Sequence, residues 1–83
     1  MLPLLDELTL QAQSVLDDLW TEKLIPFQLM AHKVESLGPE DYAIRFHDSR
    51  LHSVDVSWGK EESFKDMVRV AVLARVGRLT GPL

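Results

Sequence analysis

Two short runs of strict alternation lie close together in the middle of the chain, and they constrain it most. Tyr42, Ile44 and Phe46 alternate with Ala43, Arg45 and His47, and Val54, Val56 and Trp58 alternate with Ser53, Asp55 and Ser57. A period of two puts every apolar residue of a strand on one face. Two such runs joined by the polar connection Asp48-Ser49-Arg50 are expected to fold back as a β-hairpin. A third strand is expected over about 27–35, where Phe27, Leu29 and Ala31 alternate with Gln28, Met30 and His32, with a bulge near His32-Lys33. Gly38-Pro39 marks the turn between that strand and the hairpin.

Only an even pairing register keeps the hairpin's apolar faces together. The register expected here sets Phe46 against Val54, Ile44 against Val56 and Tyr42 against Trp58. On the other surface it sets Arg45 against Asp55 and His47 against Ser53, so that unlike charges meet. The register shorter by one pair of residues also matches the faces, but it sets Phe46 against His52 and Ala43 against Asp55.

The flanking segments follow a different period. From Leu4 to Lys23, the residues Leu4, Leu5, Leu8, Ala12, Val15, Leu16, Leu19 and Trp20 share one face of a helical wheel. Pro3 suits a first helical turn, Asp6 and Glu7 suit the positive end of the helix dipole, and Pro26 stops the helix. A second helix is expected over about 61–77, with Gly77 as its C-terminal glycine. Its inner stripe is expected to be Phe64, Met67, Val68, Ala71 and Ala74, widened by Val70 and Val72. Leu73 and Val76 then fall on the outer face.

The expected fold is therefore α+β. It has two layers in the order α-β-β-β-α, with a small antiparallel three-stranded sheet packed against an N-terminal and a C-terminal helix. At 83 residues the chain is expected to be one small domain spanning 1–83. The absence of cysteine excludes disulfides, thiol catalysis and thiolate zinc sites.

The start of the chain has no basic segment before its apolar residues, and no stretch is long and apolar enough for a membrane span. The expectation is a cytoplasmic protein with no membrane contact. The net charge of −4 argues against general nucleic-acid binding. That charge is uneven: the net values along residues 1–25, 26–58 and 59–83 are −4, −2 and +2.

The chemistry-bearing residues form no known constellation. His32, His47 and His52 lack metal-ligand spacing, so no metal is expected. Isolated glycines make no phosphate loop, and no cofactor is expected. Ser53, His47 and Asp55 share the polar hairpin face, but no sharp turn or oxyanion hole accompanies them. The chain is therefore expected not to be an enzyme.

The leading expectation is an interaction or regulatory module that docks another protein. The candidate contacts are Arg45, His47, Ser53 and Asp55 on the exposed hairpin face, and Leu73 and Val76 on the second helix. Those two apolar positions and the unpaired sheet edges also suggest a homodimer. The alternative is a nucleic-acid-associated accessory protein using Arg69, Arg75 and Arg78.

Overall fold

A computed structural model describes residues 4–47, 51–59 and 61–80. The elements follow the expected order: α1 (Leu5–Thr21), β1 (Ala31–Ser36), β2 (Asp41–Phe46), β3 (Ser53–Ser57) and α2 (Phe64–Thr80). The sheet is antiparallel in the order β1-β2-β3, so β1 and β3 are its edges. Both helices pack against the sheet, α1 chiefly on β1 and α2 on β3, and they also touch each other. Pro3 and the connection Asp48-Ser49-Arg50 lie outside the described residues.

In α1 the residues Leu8, Ala12, Val15, Leu16 and Leu19 are buried at helical spacing. Leu4, Leu5 and Trp20 belong to the same wheel face, but they lie beyond the sheet's cover and are exposed. The helix ends in a Schellman motif, in which the Lys23 N–H donates to the Trp20 carbonyl and the Leu24 N–H to the Leu19 carbonyl. Lys23 takes the left-handed conformation this motif requires, at φ 62°.

Strand β1 starts at Ala31, not at Phe27, because residues 25–30 run irregularly beneath the end of α1. The expected bulge is present: the register shifts between Ala31 and Lys33, which leaves His32 as the extra residue.

The hairpin register differs from the one expected. Ile44 pairs with Val54 and Tyr42 with Val56, while Arg45 meets Ser53 and Ala43 meets Asp55. The Phe46 N–H donates to the His52 carbonyl at 2.9 Å. This is the shorter register, and two facts explain it. Arg45 is already engaged by Glu35 of β1 at 2.9 Å, so less is gained by facing it with Asp55. The tighter turn also brings Leu51 into the core at 0% exposure, with His52 in the left-handed region at φ 53°. Burying a leucine contributes about 1.5–3 kcal/mol, more than an exposed cross-strand pair at about 0.2–1 kcal/mol.

Helix α2 starts three residues later than expected. The Ser63 hydroxyl accepts a hydrogen bond from the Asp66 N–H and caps the helix there. The helix also runs through Gly77 to Thr80, so Gly77 is an interior residue and not a terminator. An interior glycine costs only about 0.5–1 kcal/mol, too little by itself to end the helix there.

The buried stripe of α2 is Phe64, Val68, Val72 and Val76, a helical spacing of four. The helix is therefore turned from the orientation expected. Val76 is 4% exposed, in the core and not on the outer face, and Leu73 is half-buried against the core. Val70 and Ala74 take the exposed positions instead.

An aromatic group fastens α2 to the hairpin. Tyr42, Trp58 and Phe64 meet pairwise in tilted or edge-to-face contacts, Tyr42–Trp58 at 5.7 Å, Tyr42–Phe64 at 6.2 Å and Trp58–Phe64 at 5.1 Å between ring centres. Phe46 is buried, as its face implies, whereas Trp58 is half-buried and donates its indole N–H to the Glu62 carbonyl at 2.7 Å.

Candidate interaction surfaces

The two edges of the sheet are finished differently. On β1, the backbone N–H of Val34 points away from β2 and donates to the Thr9 hydroxyl of α1 at 3.0 Å. One turn along α1, the Gln13 side chain accepts from the Ala31 N–H at 2.7 Å and donates to the Leu29 carbonyl at 3.2 Å. Thr9 and Gln13 thus engage two outward N–H groups of β1, those of Val34 and Ala31. Their place on the flank of an amphipathic helix gives no sign of this role in the sequence.

No comparable cover lies on β3 among the described residues. The Phe46–His52 and Trp58–Glu40 bonds fix the phase of the ladder. Even-numbered residues of β3 bond to β2, and Ser53, Asp55 and Ser57 turn their backbone N–H and carbonyl groups outward.

Beside this edge runs a groove of about 390 Å³ between the first half of β3 and the last half of α2. Its strand side is Leu51 to Asp55, and its helix side is Ala71, Ala74, Arg75 and Arg78. Those four helix positions fall on one face at i, i+3, i+4 and i+7. The two alanines are too small to fill the space between helix and strand, and so the groove stays open. Arg75 and Arg78 are exposed and have no ion-pair partner among the described residues.

Of the hairpin residues singled out from the sequence, Arg45 and Ser53 are brought opposite each other, and the expected Arg45–Asp55 pair is not formed. Arg45 is tied to β1, where its Nε and the Lys33 Nζ both donate to Oε1 of Glu35, at 2.9 and 3.1 Å. The hydrogen bond from Arg45, then that from Lys33, holds the Glu35 carboxyl below its ordinary pKa. His47 also lies toward β1: its ring meets that of His32 edge to face at 4.6 Å. Ser53 and Asp55 are on β3, at the other edge. Arg45 and Asp55 are not directly opposite each other.

Leu73 borders a second groove of about 380 Å³ with Leu24, Pro26 and Gly77, where α2 passes the end of α1. Val76 contributes to the floor of the same groove from its buried position.

The three arginines of α2 separate as well. Arg69 pairs with Glu22, the residue that follows α1, at 3.0 Å, and this contact raises its pKa and ties α2 to the end of α1. Only Arg75 and Arg78 stand at the β3 groove.

Among the described residues no group of three metal-ligating side chains occurs, and no helix is long and apolar enough to cross a membrane. No family model matches the chain, and neither a curated protein nor a solved structure resembles it significantly.

Proposed function

We propose that this chain is a non-enzymatic interaction module that docks another protein along β3. The observation that carries the reading is the contrast between the sheet edges. One edge is occupied by Thr9 and Gln13 of the chain itself, and the other presents its backbone groups beside an open groove. A row of outward N–H and carbonyl groups is a template for an added strand, and the neighbouring groove supplies room for that strand's side chains.

Selection of random displayed peptides on the immobilised chain tests this reading. Recovered peptides should shift the amide signals of residues 51–57 and 71–78 in a two-dimensional NMR titration. Peptides that perturb only the outer face of α1, or the Lys33–Glu35–Arg45 cluster, would place docking elsewhere and overturn the assignment. A parallel titration with duplex DNA examines the nucleic-acid alternative. Tight binding that weakens steeply with added salt would favour phosphate contact by Arg75 and Arg78.

A further inference from the structure

We infer that the segment received by β3 is extended and acidic, adding as a fourth strand with its carboxylates against Arg75 and Arg78; this rests on the docking reading and names the chemistry of the partner. The backbone groups of Ser53, Asp55 and Ser57 are unspecific, because any extended chain can pair with them. Selectivity must come from the groove. There, two guanidinium groups without partners among the described residues stand against the single carboxylate of Asp55. Three other basic groups are already engaged, Arg45 and Lys33 by Glu35 and Arg69 by Glu22.

Position favours the same partner. Arg75 and Arg78 are three residues apart on one helix, about 4.5 Å along its axis. Alternate residues of a strand are about 6.6 Å apart on one face, within the span of two long arginine side chains. The forked donors of arginine suit the two oxygens of a carboxylate. A second copy of the chain fits less well. Pairing β3 with itself about Asp55 sets like charges opposite each other, and any two-fold pairing brings a second pair of arginines to the same edge.

The test uses the full chain, isotopically labelled, and three synthetic peptides. One alternates valine with glutamate, one alternates valine with lysine, and one repeats the glutamate peptide with backbone N-methyl groups on alternate residues. The glutamate peptide should shift the amides of Ser53, Asp55 and Ser57 and of residues 71–78. The lysine peptide should bind at least about tenfold more weakly, and added salt should weaken the glutamate peptide. N-methylation on the bonded edge should abolish binding, because it removes the donors that an added strand needs.

The double variant Arg75→Glu/Arg78→Glu should lose about tenfold or more for the glutamate peptide and gain for the lysine peptide. Its circular dichroism spectrum reports whether it folds, and the N-methyl comparison on the unaltered chain stands without it. Equal binding of the glutamate and lysine peptides at the β3 amides would overturn the acidic partner and leave edge docking intact. Full binding by the N-methylated peptide, or no shift at β3 with any peptide, would overturn both. Self-association of the free chain through β3 that excludes the glutamate peptide would also refute the inference.

Discussion

Leu51 follows the polar connection of the hairpin, where a leucine is ordinarily an exposed loop residue and its truncation nearly neutral. Here it is 0% exposed and belongs to the core cluster. Leu51→Ala removes three carbons from that core, about 2.4 kcal/mol of transfer free energy at ~0.8 kcal/mol per methylene. Any cavity that fails to close adds to this, and buried leucine truncations span about 2–5 kcal/mol. A chain of 83 residues has a total stability of roughly 4–12 kcal/mol, so the change consumes a large share of it. Urea unfolding followed by circular dichroism reads the loss. With a slope near ~1 kcal/mol per molar urea, the midpoint should fall by about 2 M or more. Leu10→Ala is the matched control, since Leu10 is 72% exposed and its midpoint should move by less than about 0.5 M. A Leu51→Ala midpoint within that same margin would refute the burial of Leu51 in the core.

Replacing Thr9 with Val keeps the shape of the side chain but removes the acceptor for the Val34 N–H. The cost should be about 1–3 kcal/mol, with faster hydrogen exchange at the Val34 amide as the specific sign; an unchanged exchange rate would mean the edge is not plugged there. Glu35 is held ionised by Arg45 and Lys33, so its folded pKa lies below its unfolded one. The stability it contributes is present above the unfolded pKa and fades as the pH falls through the folded value. Thermal melts should therefore show a smaller acid-side loss for Glu35→Gln than for the unaltered chain, and identical pH profiles would contradict the ion cluster.

How much of this was legible in the sequence depends on which force set each feature. The element order, the buried stripe of α1 and the bulge at His32 follow from apolar periodicity, which one chain segment carries by itself. The hairpin register does not, because it was settled by a third strand. Glu35 of β1 claims Arg45, and Leu51 finds a core that the two hairpin runs do not reveal. The rotation of α2 was hidden for a different reason. Val68, Val70, Val72 and Val76 place apolar residues around most of the helix, so the wheel shows no single face and tertiary packing selects the Phe64–Val76 stripe. The groove at β3 was partly visible in Arg75 and Arg78 at helical spacing. Its counterpart, the outward backbone of an edge strand, has no sequence signature.

The cover on β1 also has a consequence for the order in which the molecule is made. Thr9 and Gln13 come 25 and 18 residues before the backbone groups they satisfy. During synthesis from the N-terminus, these side chains emerge ahead of the strand edge they will occupy. A nascent chain therefore never presents β1 to its neighbours before its own plug exists. Ribosomes translating one message side by side hold many such chains close together, and the edge most exposed to mispairing in that setting is the later one, β3.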